Sequence, residues 1–364
     1  MKIPTIPPIL NAVLATAHIS KKKANEYISH YIRSSKTKKL PFKLPIDVQV
    51  YPIHRSPADP QHIDTIKIHQ NYSPVDSAPA GEDSLFHTLN ENNLVFGVCD
   101  GVGGWNDSGV DPSVFSRTLS AYTAESAQNQ WLIHSSDEIN PKDVMRMGYG
   151  WMRQDDLELY GSSTILVLSL SLLTGKLNAA QLGDSSFMVY DRMGKKTVFV
   201  SPEQQHRFNM PYQLTGKIPT GRIKPKKSTV PFYKPKSKYS NDLDTFNDLK
   251  SLGYDTPLDS NEYQIPIKSG NVILAATDGL FDNVHQEEIE NVLGMQFSSK
   301  NTPLNVGFAA QQLCLTAVLN YLNKDTDSPF SIRAKESGYN YLGGKPDDVT
   351  VVLAYINDNI KSKL

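Results

Sequence analysis

Six short acidic motifs recur along this chain, most of them at the ends of apolar runs. They are Gly81-Glu82-Asp83, Val98-Cys99-Asp100-Gly101, Leu182-Gly183-Asp184-Ser185, Ala276-Thr277-Asp278-Gly279, Asp282 just beyond it, and Lys345-Pro346-Asp347-Asp348. A carboxylate at the end of a buried strand is costly to desolvate alone. Several brought together repel one another unless cations sit between them. Oxygen donors with no convergent His or Cys select hard cations, Mg²⁺ or Mn²⁺. The pattern points to a multi-metal site on a β scaffold. Each motif also has a plain structural use. Asp-Gly is a common turn, Asp282 before Asn283 and a helical run would serve as a helix cap, and Asp184-Ser185 would close a hairpin.

The elements that must position these acids are read from periodicity. Residues 94–99, 177–182, 272–276 and 349–354 are apolar runs of strand length. Asp111-Pro112, Asn140-Pro141 and Thr302-Pro303 each set a polar cap before a proline at the first helical position. In the last helix Val306, Ala309, Ala310, Leu313, Ala317 and Val318 share one face. Residues 163–170 and 177–182 form a hairpin, followed by strands at 187–190 and 197–200. Meanders interspersed with helix pairs, rather than regular βαβ alternation, mean an α+β fold with antiparallel sheets.

The 364 residues are 39% apolar and 21% charged, enough to bury a sizeable core. A net charge of −1 gives no global pull toward nucleic acid. Two cysteines, Cys99 and Cys314, cannot make a disulfide framework, and Cys99 reads as a small buried hydrophobe. No run reaches the ~18 apolar residues of a membrane helix. Residues 1–46 hold eight Lys and Arg33 against one acid, Glu26. They read as a basic targeting segment or a disordered arm, with a helix over 8–34. A proline-punctuated linker follows at 47–63. The main domain spans 64–358, opening on a strand at 64–68. Within it, 215–261 reads as a basic, proline-rich insertion, either a flexible loop or a recognition surface. Its cations are too sparse for a nucleic-acid patch.

The motif order resembles the metal-dependent serine/threonine protein phosphatases of type 2C (PPM), over about 81–356. Asp100-Gly101, Gly161-Ser162-Ser163-Thr164, Leu182-Gly183-Asp184-Ser185, Thr277-Asp278-Gly279 and Asp347-Asp348-Val349-Thr350 come in family order. Asp100-Gly101-Val102-Gly103-Gly104-Trp105, Gly109-Val110-Asp111-Pro112 and Phe208-Asn209-Met210-Pro211-Tyr212-Gln213-Leu214 resemble the small fungal and animal branch, typically mitochondrial. The resemblance implies a four-layer αββα sandwich: two stacked antiparallel β-sheets flanked by helix pairs, with the metal site in a cleft at one edge. It implies hydrolysis of phosphoserine and phosphothreonine by a hydroxide bridging two Mn²⁺ or Mg²⁺ ions.

By the same resemblance Asp100 bridges both ions, Gly101 lends a backbone carbonyl, and Glu82 binds the same ion. Asp278 and Asp347 complete the other ion, and Asp83 positions the attacking water. Asp184 and Asp282 match places for a third, weaker ion, and Asp348 stands where the family usually has Asn. An Arg expected about five residues before Asp83 is Ala78, and a His expected two after Asp100 is Val102. Phosphate anchoring and leaving-group protonation therefore have no assigned residue, with His206, Arg207 and the loop lysines as candidates for the phosphate. The expected protein is a monomer in the mitochondrial matrix acting on phosphoproteins. The alternative is a catalytically silent metal-binding regulator of the same fold.

Overall fold

Runs that are apolar on alternate or on both faces become strands, and capped, proline-opened runs become helices. The structure, a computed structural model, describes residues 10–34, 44–53, 80–90, 92–134, 138–155, 157–217, 243–297 and 305–358. In chain order the strands are β1 (Leu10–Ile19), β2 (Asp47–Ile53), β3 (Asp83–Asn90), β4 (Asn93–Asp100), β5 (Ser162–Ser163), β6 (Ile165–Ser171), β7 (Lys176–Leu182) and β8 (Ser186–Asp191). They continue with β9 (Lys196–Val200), β10 (Gln205–Arg207), β11 (Met210–Pro211), β12 (Leu214–Thr215), β13 (Asn261–Pro266), β14 (Asn271–Ala276) and β15 (Val349–Asp358). The α-helices are α1 (Lys21–Ser34), α2 (Pro112–His134), α3 (Pro141–Gln154), α4 (Leu243–Ser251), α5 (Asp278–Phe281), α6 (Gln286–Phe297), α7 (Val306–Leu322) and α8 (Pro329–Glu336).

Two main antiparallel sheets run in the orders β2-β1-β15-β14-β8-β9 and β13-β7-β6-β4-β3. Their facing sides meet through Leu14, Phe187, Ile273 and Val352 of the first and Leu94, Phe96, Leu166 and Leu168 of the second. Ala24, Ile28, Leu293, Leu313 and Val318 of α1, α6 and α7 cover the outer face of the first sheet. Phe115, Leu119, Met145 and Tyr149 of α2 and α3 cover that of the second. The layering is the helix–sheet–sheet–helix order expected from the sequence. Cys99 and Cys314 are buried free thiols. Among the described residues, no helix is long and apolar enough to cross a membrane.

Within the basic N-terminal segment, residues 10–34 form β1 and α1, and β1 lies inside the first sheet between β2 and β15. It pairs with β15 from Leu10 opposite Asp358 to Ile19 opposite Val349. Leu10, Ala12 and Leu14 face the sheet interface, while Ala15, Ala17 and Ile19 face the helices. A strand covered on both sides shows no polar alternation, so the basic composition of its flanks dominated the reading. The helix expected over 8–34 begins only at Lys21.

The expected linker also opens on structure. Residues 47–53 are β2, an edge strand whose Pro52 lies opposite Val13, a position where proline is tolerated. The strand expected at 64–68 lies outside the described residues, as do 218–242 of the basic insertion. The insertion's described later part forms α4. Phe246 and Leu249 of α4 are buried, and Phe246 stacks on Tyr149 with ring centroids 5.9 Å apart. The last long helix is described from Val306 under an Asn305 cap, and Thr302-Pro303 lie outside the described residues.

Deleting residues 1–46 would strip β15 of a partner and uncover apolar side chains worth ~1.5–3 kcal/mol each, against a total stability of ~5–15 kcal/mol. The truncated protein is expected to be insoluble or to lack a cooperative thermal transition. A soluble, cooperatively melting truncation would show that β1 is dispensable.

Candidate metal centre

Strand ends bring the acids together. Asp83 and Asp100 are cross-strand partners at the shared end of β3 and β4. The turn after Asp100 is pinned there: Gly101 N–H donates to Glu82 O at 3.1 Å and Thr164 N–H to Asp100 O at 2.9 Å. Asp278 opens α5 and Asp282 caps its end, straight after β14, while Asp347 and Asp348 precede β15, the neighbour of β14. Thr277 ties the two sheets at this end. Its hydroxyl donates to Asp83 Oδ2 at 2.8 Å and accepts from Thr350 N–H at 3.2 Å. Asp184, buried after β7, accepts from Gln205 Nε2 at 3.3 Å. The closeness depends on Gly279, where a Cβ would stand 1.8 Å from Asp348 O.

The cluster is crowded with negative charge. Burial, then Asp278, Asp83, Asp347 and Asp184, holds the Asp100 carboxyl well above the usual range. Burial and Asp348 do the same to Asp83, and burial and Asp278 to Asp184. Burial pushes Asp282 up to about 7 and Asp348 up to about 6. Burial also opposes the charge on Asp278, but the Lys345 ammonium prevails and holds its carboxyl below the ordinary range. Lys345 Nζ contacts Asp278, Asp282 and Asp347. Arg333 meets Asp282 as well as Glu203. Asp348 clamps two backbone donors, Lys21 N–H at 2.6 Å and Glu82 N–H at 2.7 Å.

Asp83, Asp100, Asp184, Asp278 and Asp347 share one electrostatic neighbourhood. Two other residues stand differently. The Glu82 carboxylate sits toward the 103–106 turn, accepting from Asn106 Nδ2 at 2.7 Å. Asp282 is held by Lys345 and Arg333, protein cations, where a third ion was expected. Among the described residues, no three His, Cys, Asp or Glu groups form a ready-made cage. The donor set nevertheless fits a hard divalent cation. It is all oxygen, half-buried at Glu82, Asp100 and Asp347 and buried at Asp278, whose Oδ1 has no hydrogen-bond partner.

The remaining candidates lie beside the cluster. Trp105 Nε1 donates to Ser162 Oγ at 2.7 Å. Tyr212 stacks on His206 at 3.8 Å between centroids, and His206 Nε2 is 3.0 Å from Asp255. His206 is therefore engaged within the protein. Trp105, Ser162, His206 and Asp255 line a cavity of about 400 Å³ bordering the Asp100–Gly101 turn, where Val102 N–H donates to Ser162 O at 3.0 Å. Ala78 lies outside the described residues. Sequence reasoning assigned no role to Lys345, Lys21 or Arg333. Lys345 stood inside a quoted acidic motif, whereas Lys21 and Arg333 carry no local signal.

No family model matches the chain. Individual proteins do. "Protein phosphatase PTC7 homolog fig" of Drosophila grimshawi is 35% identical over 283 residues, covering 78% of this chain and 81% of that one. "Probable protein phosphatase 2C 80" of Arabidopsis thaliana is 34% identical over 286 residues, 79% of this chain, which spans 57% of that longer protein. The solved photosystem II phosphatase PBCP is 26% identical, with a TM-score of 0.56, over 76% of this chain and 91% of that one.

The raised carboxyls set a pH dependence. A group whose folded pKa is raised binds a proton that the unfolded chain releases, so stability falls as pH climbs from the unfolded value through the folded one. For Asp348 and Asp282 that window runs from 3.8 to about 6 and about 7. Metal-stripped protein is therefore expected to melt at lower temperature at about pH 8 than at about pH 5.5, and Mn²⁺ is expected to stabilise it more at the higher pH. Melting curves with and without chelator check this. A melting temperature indifferent to Mn²⁺ at the higher pH would remove the metal assignment.

Proposed function

The chain belongs to the type 2C (PPM) protein phosphatases, in the branch of the PTC7 homologues, and on that premise we propose that it hydrolyses phosphoserine and phosphothreonine in proteins at a two-ion Mn²⁺ or Mg²⁺ centre. The observation that carries the reading is the buried carboxylate cluster joining the ends of both sheets, with Asp278 Oδ1 left without a partner. Asp100, Asp278 and Asp347 would hold the ions, with Glu82 and the Gly101 carbonyl completing the set. When bound, the ions supply a water of lowered pKa and neutralise charge on the phosphoryl oxygens.

The chain's own residues do the rest. Asp100 offers two anionic oxygens from a turn fixed by Gly101 N–H and Thr164 N–H. Asp83, oriented by the Thr277 hydroxyl, accepts a hydrogen bond from the attacking water and aims it at phosphorus. Val102 has no proton to give, so the departing alkoxide takes one from solvent as the phosphorus–oxygen bond breaks. The cavity beside Trp105 and Asp255 offers a place for residues flanking the phosphorylated side chain. The silent-regulator reading is disfavoured because every expected acid is present.

Mn²⁺-dependent release of phosphate from a phosphopeptide panel is the expected activity. Asp100→Asn is nearly isosteric and lightens the like-charge crowding, so the variant is expected to fold. It should lose at least roughly a hundredfold in turnover, because each ~1.4 kcal/mol of lost transition-state stabilisation is tenfold in rate. Near-normal activity in folded Asp100→Asn would withdraw the site assignment, and inactivity of the native chain with every divalent ion would favour the regulator. The branch resemblance also supports the mitochondrial matrix as the compartment. A reporter fused behind the intact chain is expected to co-localise with mitochondria. A diffuse signal would remove the compartment and leave the enzyme.

A further inference from the structure

Lys345 is built into the acidic cluster. Its ammonium nitrogen stands 2.5 Å from Asp278 Oδ2, 2.7 Å from Asp282 Oδ2 and 3.2 Å from Asp347 Oδ2, and its side chain is only 19% exposed. The ammonium also lies 5.2 Å from the centroid of the Phe330 ring, and Phe330 N–H donates to Asp282 O at 3.0 Å. Its backbone is fixed to the same corner. Lys345 N–H donates to Asn283 Oδ1, and Asn283 Nδ2 donates to both Lys345 O and Gly279 O, each at 2.9 Å. Side chain and main chain are thus both anchored to the turn that carries Asp278 and Asp282.

The oxygens divide. Lys345 takes Oδ2 of all three acids, while Asp278 Oδ1 stays buried without a partner. The other oxygen of Asp282 is taken by Arg333. Asp282 therefore meets protein cations on both oxygens, whereas Asp278 keeps one side open. Asp184 also feels the Lys345 charge. A further divalent ion beside Asp282 would face two fixed positive charges.

We propose that Lys345 is a resident cation of the centre, standing against Asp278 and Asp282 in place of a third divalent ion, so that the protein binds two divalent ions and none at Asp282. The inference rests on the phosphatase reading above. A tethered ammonium is not removed by chelators and does not depend on metal concentration, so this corner of the cluster stays neutralised when divalent ions are scarce.

The test counts Mn²⁺ ions bound by the full chain at equilibrium after metal stripping, with thermal melting to confirm folding. The wild type is expected to bind two, and Asp282→Asn to bind the same two. Lys345→Met, which keeps the stem and removes the charge, is expected to bind three, the third being lost again in the Lys345→Met/Asp282→Asn double variant. Loss of one ion in Asp282→Asn alone would overturn the proposal, as would an unchanged count in folded Lys345→Met. If Lys345→Met fails to fold, the Asp282→Asn count decides. A wild type that binds no Mn²⁺ would take down the phosphatase reading together with this one. A wild type that binds ions and hydrolyses phosphopeptide, while Asp282→Asn loses one ion, would sink this proposal alone.

Discussion

Mutual repulsion among buried carboxylates is the constraint around which this molecule is arranged. Asp83, Asp100, Asp184, Asp278 and Asp347 sit at one end of two stacked sheets, where burial and neighbouring acids raise the proton preference of all but Asp278, which the Lys345 ammonium holds low. No apolar core tolerates such a group unaided, because a buried charge needs a counter-charge or hydrogen bonds. Several kinds of compensation are present. The Lys345 ammonium reaches three of the acids, the Thr277 hydroxyl serves Asp83, and backbone N–H groups serve Asp348. They leave Asp100 among other acids, where a divalent cation gains most.

That constraint explains why the N-terminal strand matters to the site as well as to the core. β1 delivers the chain to Lys21, whose N–H donates to Asp348 and whose ammonium lies 3.6 Å from Asp347 Oδ1. The first strand thus brings a positive charge and a backbone donor to residues more than three hundred positions away. Its contribution is long-range in sequence but local in space. Loop-closure entropy of this kind grows only slowly with separation, so the sheet bears it through β1's pairing with β15.

Most of the acids were legible in the sequence because they follow or precede apolar runs of strand length; meanders among capped helices indicated an α+β fold with antiparallel sheets, and the family resemblance implied its four layers. β1 was not legible. Its apolar residues are buried on both sides and interrupted by the buried polar Asn11, Thr16 and His18, so no alternation marks it, and the lysines around it point instead to a basic arm. Helix α4 of the basic insertion was hidden in the same way, since Phe246 and Leu249 sit in a segment dominated by charge and proline. Lys345 was visible as a residue but not as a contact. A lysine beside two aspartates is ordinarily a solvated neighbour, and only tertiary packing against Phe330 and Asn283 turns it inward. Asp282 shows the converse, because its spacing suggested an ion's ligand while the fold surrounds it with Lys345 and Arg333.

Asp348 gives the same logic at atomic scale. The family resemblance puts an Asn at this place, and the structure supplies a reason for the acid. Two backbone N–H groups converge on the side chain, Lys21 on Oδ1 and Glu82 on Oδ2. A carboxylate accepts from both, whereas an amide has one acceptor oxygen and would turn its own donor toward the other N–H. The residue is therefore a clamp between the start of α1 and the turn before β3, and its charge is the condition of that clamp. The cost is another negative charge beside Asp83 and Asp347. Lys21, which the clamp itself fixes in place, returns a positive charge to the same corner. Clamp and counter-charge are thus one device: the hydrogen bond that orders the N-terminal segment also positions the cation that makes the extra carboxylate tolerable.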